Sequence, residues 1–267
     1  VSDIQITGTV NGQVAVTLDL VAPATIAAGA TDATTQVTMT LSQEFQNTFG
    51  DDAQTLLNLG SVQVVASEND ATDFATGTVN LAVVDDIPAV EITGATEVAE
   101  DLADGSTIGG NIPITEGADQ DGTLDITLSG GQTFQGGATI SFTLDGTPDT
   151  QFATVLNGTD VLGVLTVTTD VNGDAAWTFD PAADVTQPAS FTFVATVTDT
   201  DGDEATDNHT VTITDGADPT GGDSMSLQLD EDDLPDGSDT TGPLTASDML
   251  SFTAGSDAIT SIVFSTD

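Results

Sequence analysis

The residues in this chain whose type and spacing can do chemistry are the carboxylates of Asp199-Thr200-Asp201-Gly202-Asp203-Glu204-Ala205-Thr206-Asp207. Asp199, Asp201 and Asp203 crowd three negative charges into five residues. They repel one another unless a cation sits among them, and hard oxygen ligands at this spacing suit Ca²⁺. The plainer reading is a solvated acidic turn. Two features weigh against it: the cluster returns elsewhere with its surroundings intact, and the composition offers no other counter-charge.

That composition is extreme. The chain has no Lys or Arg, 44 Asp and Glu, a single His and a formal charge of -44. No carboxylate can pair with a basic side chain. Binding of nucleic acid through basic contacts is excluded, and anionic surfaces are repelled. A disordered acidic tail does not fit either, because 38% of the residues are hydrophobic and alternating runs recur throughout. With no cysteine there is no disulfide or thiol chemistry; a secreted protein without disulfides needs another staple, and Ca²⁺ is a candidate. No apolar run reaches the ~18 residues of a membrane span, so no membrane insertion is expected.

The acidic loop needs strands to hold it. Ser190–Thr198 alternates Phe191, Phe193, Ala195 and Val197 with polar residues, and Thr210–Thr214 alternates after the cluster. The loop is therefore predicted at one end of a β-sandwich. Upstream, Asp3–Thr7, Gln13–Leu20, Gln36–Leu41, Ser61–Ala66 and Thr78–Val84 read as strands, with Asn11-Gly12 as a hairpin turn. Ser42–Leu59, with Phe45, Phe49, Leu56 and Leu59, reads as a short helix or two turns. Further strands are predicted at Ala89–Thr93, Thr123–Leu128, Thr139–Leu144, Val161–Thr168, Ala175–Phe179 and Ile259–Phe264. Trp177 reads as core and His209 as a surface position. Asp170–Asp174 reads as a turn, and Asp119–Asp125 as either a turn or a further ion site.

An internal repeat sets the architecture. Asp101-Leu102-x-Asp104-Gly105-Ser106 returns as Asp233-Leu234-x-Asp236-Gly237-Ser238, Asp85-Asp86 returns as Asp215-Gly216, and Glu68–Asp73 returns as Asp201–Asp207, all about 130 residues on. A period of that length is a domain. The prediction is an all-β chain of sandwiches joined end to end, with acidic Ca²⁺-binding joints. Residues 1–88 form the C-terminal part of one repeat, 89–216 a complete repeat, and 217–267 the N-terminal part of the next. One joint is predicted to gather Glu68, Asp70, Asp73, Asp85, Asp86, Glu100 and Asp101, and the other Asp199, Asp201, Asp203, Asp215, Glu231 and Asp232. Copies are expected to run head to tail, each outer part being completed by a neighbouring repeat or copy.

The residues offer little to an enzyme. There is no cysteine, lysine, arginine or tyrosine, and His209 stands alone. Nothing singles out a carboxylate pair for glycoside hydrolysis. An adhesive module that itself binds a sugar, peptide or surface remains an alternative, as does an accessory β-domain of a halophilic secreted enzyme.

Several motifs together resemble the repeats of giant bacterial surface adhesins, the type I-secreted, RTX-type and biofilm-associated proteins with Ig-like or cadherin-like domains. These are Thr198-Asp-Thr-Asp-Gly-Asp203 after a Phe-rich strand, Trp177-Thr-Phe-Asp180 upstream, Val84-Asp-Asp-Ile-Pro88 at the joint and Leu229-Asp-Glu-Asp-Asp-Leu-Pro235. The resemblance covers essentially the whole chain. It implies extracellular extender domains, made rigid by calcium, that mediate cell adhesion or build biofilm fibres.

Overall fold

Alternating residues become strand here wherever a neighbouring strand can take up their backbone groups, and the protein is all-β. The computed structural model describes residues 4–265 except 24, 32, 44–55, 70–71, 101–106, 223 and 240. In the first unit, β1 (Ile4–Val10) turns through Asn11-Gly12 into β2 (Gln13–Val21), and β3 (Gln36–Leu41) pairs on the far side. Asn11 and Gly12 both have positive φ, which this two-residue turn requires. β4 (Leu56–Ser67) and β5 (Phe74–Val84) form a second, two-stranded sheet. Ala15, Val16, Leu18 and Leu81 are buried, and a cavity of about 190 Å³ lies among Ile6, Val16, Leu18, Leu59, Val62 and Leu81.

The middle unit is closed. It contains β6 (Ala89–Val90), β7 (Glu97–Ala99), β8 (Ile108–Ile112), β9 (Ile114–Thr115), β10 (Thr123–Ser129) and β11 (Thr133–Phe134). It continues with β12 (Ile140–Thr143), β13 (Thr150–Asn157), β14 (Asp160–Thr169), β15 (Ala175–Pro181), β16 (Ala189–Thr198) and β17 (Glu204–Thr214). One sheet runs β12-β10-β16-β17-β7 and the other β11-β13-β14-β15-β8, with β6 and β9 as a separate pair. Their facing side chains make a single core that includes Leu124, Ile126, Val155, Leu165, Trp177, Phe179, Phe191, Phe193, Val211 and Ile213. Each such side chain, fully buried, contributes about 1.5–3 kcal/mol. Trp177 is 1% exposed, and its indole N–H donates to Thr93 O at 3.0 Å, so the ring's polar edge is satisfied inside the core.

Beyond it, β18 (Thr220–Gly221) pairs with β19 (Phe252–Thr253), and a single 3-10 turn covers Glu231–Asp233. No hydrophobic residue of this last unit is buried among the described residues.

Several expectations change. The helix expected over Ser42–Leu59 is absent at its described end: Leu56–Leu59 open β4, while 44–55 lie outside the described residues. Ile259–Phe264 is not a strand, because among the described residues no other strand pairs with it. The acidic loop is shorter than its composition suggested, since β17 resumes at Glu204. His209 is inside, at 9% exposure: it shares the inward face of β17 with Val211 and Ile213 and packs its ring against Trp177 and Phe193. Its Nε2 lies 2.9 Å from Ala95 O. β13, which the sequence reading did not single out, is a full strand between β11 and β14.

Candidate metal centre

The hairpin of β16 and β17 builds the first site. Asp199 N–H donates to Asp203 O at 3.1 Å and closes the loop. Asp199 Oδ1 then accepts the N–H groups of Gly202 at 3.0 Å and Asp203 at 2.8 Å. This local bonding explains Asp at 199 and Gly at 202, whose φ is +108°. It also leaves Asp199 Oδ2 buried with no backbone N–H upon it. The loop from Glu116 to Gly122 packs against it. Glu116 Oε2 accepts Gly122 N–H at 2.8 Å, and a Cβ on Gly122 would fall 2.3 Å from Thr198 O, so only glycine permits this approach.

Asp119 lies in that second loop, and the end of β5 delivers Asp85. Asp85, Asp119 and Asp201 each offer an oxygen, all within 4.8 Å of one another, and Asp199, Asp201 and Asp203 do the same. Asp85, Asp119, Asp199 and Asp203 are 8%, 3%, 5% and 3% exposed. At an effective dielectric of about 20, two full charges at this spacing repel by roughly 3 kcal/mol. The protein answers that repulsion with protonation or with a cation. Burial, then a hydrogen bond shared with Asp201, pushes the Asp199 carboxyl up to about 7, against the pull of the Asp203 and Gly202 N–H groups. Asp86 points elsewhere: it is exposed, and its Oδ2 accepts Ala118 N–H at 3.0 Å.

The second site lies at the other end of the middle unit. Glu100, Asp215 and Asp257 bring oxygens within 4.8 Å of one another. Glu100 is 3% exposed. Burial would raise its carboxyl, but the Val185 N–H, the Ser256 hydroxyl, the Gly216 N–H and a hydrogen bond with Asp215 together hold it below the ordinary value. The Val185 bond is 2.9 Å. Asp257 is pushed up, first by desolvation and then by the charges of Glu100, Asp184 and Asp215. Here too the carboxylates come from two successive units, with Glu100 and Asp215 from the middle one and Asp257 from the next.

No family model matches the chain, and no curated protein is significantly similar to it. The sites are therefore read from geometry alone. Among the described residues, buried acidic clusters capable of holding a metal ion stand at both ends of the middle sandwich.

The membership differs from the sequence grouping in an instructive way. Asp199, Asp201 and Asp203 were grouped with Asp215, but β17 spans its 11 residues between them, about 35 Å of strand. A hairpin places its loop and its outer end at opposite poles, so the loop joins Asp85 and Asp215 joins Glu100. Glu68 and Asp73 lie at the far end of the first unit, where Glu68 N–H donates to Asp73 O at 3.0 Å. Glu231 and Asp232 occupy the 3-10 turn and enter no described cluster. Asp70 and Asp101 lie outside the described residues.

Asp119 and Asp257 were the members not assigned to a joint. Their signal was present in the sequence: Thr115-Glu-Gly-Ala-Asp119 is matched by Thr253-Ala-Gly-Ser-Asp257. β9 and β19 carry these segments and pair with β6 and β18 in one register, Val90 opposite Ile114 and Gly221 opposite Phe252.

Proposed function

We propose that this protein is a structural extender of an extracellular adhesin or matrix fibre, in which Ca²⁺ ions at the joints between sandwiches fix one domain against the next. One observation carries the reading. At each end of the middle unit, carboxylates from two consecutive units converge within 4.8 Å, in a chain with no basic side chain to neutralise them. A cation there lowers the repulsion only while the two units stay docked, so binding and straightness are linked. All-oxygen, irregular, partly buried sets of this kind suit Ca²⁺, which accepts 6–8 oxygens in flexible geometry, better than Mg²⁺, which holds to a strict octahedron. An array of such units holds whatever it carries at a distance from its anchor, and its acidity keeps it soluble and unbound to anionic surfaces.

The test is small-angle scattering of the full chain during Ca²⁺ and Mg²⁺ titrations. Ca²⁺ is expected to lengthen and stiffen the particle at concentrations of about 10⁻⁴–10⁻³ M, where extracellular modules bind it, with Mg²⁺ much weaker. Asp85→Ala with Asp119→Ala is expected to remove the response of the first joint. A scattering curve indifferent to Ca²⁺ would sink the reading.

A further inference from the structure

Two polar residues of β17 stand where its hairpin needs none. The inward face of this strand reads Ala205, Asp207, His209, Val211 and Ile213. The first unit has the same hairpins without the two polar residues. β1 with β2 and β13 with β14 shift register at the same place, Gly8 pairing with Val16 and Thr9 with Val14, Val155 with Gly163 and Leu156 with Val161. The bulged residues, Ala15 and Leu162, are both buried. The Glu68 to Asp73 bond closes β4 and β5 as the Asp199 to Asp203 bond closes β16 and β17. So β1 to β5 correspond to β13 to β17, and Asp85 follows β5 as Asp215 follows β17. Gly77 and Val79 of β5 match Asp207 and His209. The hairpin therefore forms with no polar side chain at these positions.

Asp207 and His209 both reach the segment that opens the middle unit. Residues 89–100 run from the pole where Asp85 meets the β16–β17 loop to the pole where Glu100 meets Asp215, along the seam between the two sheets. On one side Glu91, Thr93 and Ala95 donate their N–H groups to Pro113 O, Asn111 O and Gly109 O at 3.3, 2.9 and 3.3 Å. On the other side the segment meets β17. Asp207 Oδ2 accepts Ile92 N–H at 2.6 Å. His209 Nε2 lies 2.9 Å from Ala95 O, and a carbonyl only accepts, so this nitrogen donates. Further on, a backbone ladder takes over. Thr212 N–H donates to Thr96 O at 2.9 Å and Glu100 N–H to Thr214 O at 3.0 Å, with Glu97 to Ala99 paired to Thr212 to Thr214. The seam is tight: a Cβ on Gly110 would overlap Thr93 O, and one on Gly94 would lie 2.6 Å from Gly109 O.

β7 and β17 pair in parallel, so the opening segment and the closing strand both run from the first pole to the second. Tension arriving through Pro88 pulls residues 89–100 toward the first pole. Tension leaving through Gly216 pulls β17 toward the second. The pull therefore runs along the strands and across the bonds between them, and strains those bonds together. A pull at right angles to a strand pair breaks its bonds one after another. We propose that the middle unit bears tension, that a pull along the chain shears residues 89–100 against β17, and that Asp207 and His209 are the ties that resist the shear where no backbone ladder spans the two. Bearing tension is a role beyond docking and needs no Ca²⁺, since Asp207 and His209 enter no described carboxylate cluster.

The full chain has no cysteine, so handles can be attached at chosen residues for single-molecule pulling, in chelator and separately in Ca²⁺. Val84→Cys with Asp218→Cys pulls the middle unit lengthwise. Gln187→Cys with Asp218→Cys peels β16 from β17, starting where Ala189 pairs with Ile213. All three positions are exposed. The lengthwise force is expected to be several times the peeling force in both buffers. His209→Phe keeps a ring against Trp177 and Phe193 and loses the bond to Ala95 O. Asp207→Ala loses the bond to Ile92 N–H, and Asp207→Asn keeps an acceptor there. Under constant lengthwise load, His209→Phe and Asp207→Ala are each expected to unfold roughly tenfold faster, with Asp207→Asn restoring most of the difference. Peeling is expected to be unchanged by them, because it begins at Ile213 and the ties are still made when it passes its barrier. Equal forces in the two directions overturn the proposal. So do variants that speed unfolding equally in both, which is what side chains serving stability alone would do. A directional difference seen only in Ca²⁺ also overturns it, because the clusters and not the seam would then hold the pull. A directional difference in chelator, with scattering indifferent to Ca²⁺, would support the seam while removing the metal reading.

Discussion

The first and middle units share five strands and a bulge, yet only the middle one closes. In the middle unit, β16 and β17 are covered on both sides, and Phe191, Phe193, Ala195 and Val197 are at most 1% exposed. In the first unit the equivalent β4 and β5 pair only with each other among the described residues, and Leu56, Val65 and Phe74 are exposed at 62%, 56% and 71%. The difference teaches that hairpins here are specified locally, by turn residues and alternation, while burial is specified by strands distant in sequence. β10 inserts between β12 and β16, so a segment near the start of the module creates most of the core formed by its end.

The largest effect that would sharpen this comparison is a core truncation made in both units. Trp177→Ala removes a ring packed against Phe193 and His209 and leaves Thr93 O without its donor. It is expected to cost about 3–5 kcal/mol in denaturant unfolding of the middle unit. Leu18→Ala, in the open first unit, is expected to cost less than the ~2–5 kcal/mol of a closed core, because a cavity already lies beside it. Equal costs would mean the first unit is as well packed as the second.

Next comes the metal. At roughly 10 mM Ca²⁺, a site with a dissociation constant of about 10⁻⁴–10⁻³ M adds about 1.4–2.7 kcal/mol by mass action. Calorimetry with and without chelator at low salt is expected to show the middle unit, clamped at both ends, losing more melting temperature than the first. A drop of about a degree or two would favour solvated acidic turns.

Much of this was legible in the sequence, and the failures have a common cause. Alternation located most strands of the two sheets, and the repeat singled out Asp85 and Asp215, each of which enters a carboxylate cluster. The grouping of carboxylates failed because proximity along the chain was taken for proximity in space. A hairpin reverses direction, so Asp199 and Asp215, close in sequence, sit at opposite poles, whereas Asp85 and Asp201 meet. His209 was misread because its polarity outweighed its place in the alternation with Val211 and Ile213. Asp119 was visible as acidic but not as a joint residue, since its role depends on the turn that β9 enters.

Protonation gives a subtler way to separate the two ends. In chelator, Asp199 rises from its ordinary value of 3.8 to about 7. The folded state then holds a proton that the unfolded chain releases, so this contribution is full below about pH 4 and is lost as pH rises through 7. Glu100 is lowered, so its contribution is present above its ordinary value of 4.5 and is lost as pH falls through its folded value. Thermal melts in chelator are therefore expected to weaken from pH 5 to 8 as Asp199 loses its proton, and the raised Asp257 at the other end acts in the same direction. Asp199→Asn keeps the acceptor for Gly202 and Asp203 and is expected to flatten that slope. Saturating Ca²⁺, replacing the proton, is expected to do the same in the parent chain.

The smallest effect compares the two joints directly. Asp86 and Gly216 occupy equivalent positions after Asp85 and Asp215, yet they act in opposite ways. Gly216 leaves room: a Cβ there would meet Ser256 Cβ at 2.7 Å and Glu100 O at 2.8 Å, so the next unit packs against its bare backbone. Asp86 instead reaches across, its Oδ2 holding Ala118 N–H at 3.0 Å beside Gly117. Gly216→Ala is expected to push the second joint apart by overpacking, at about 1–3 kcal/mol. Asp86→Ala removes one exposed hydrogen bond to a charged group, worth about 1 kcal/mol, and no core contact. Melting of the middle unit is thus expected to be unchanged by Asp86→Ala. Only the spread of angles at the first joint is expected to widen, measured by scattering or by distances between spin labels on the two units. A fall of several degrees in the middle unit's melting temperature would mean that Asp86 supports the sandwich itself and that the first joint is part of its fold.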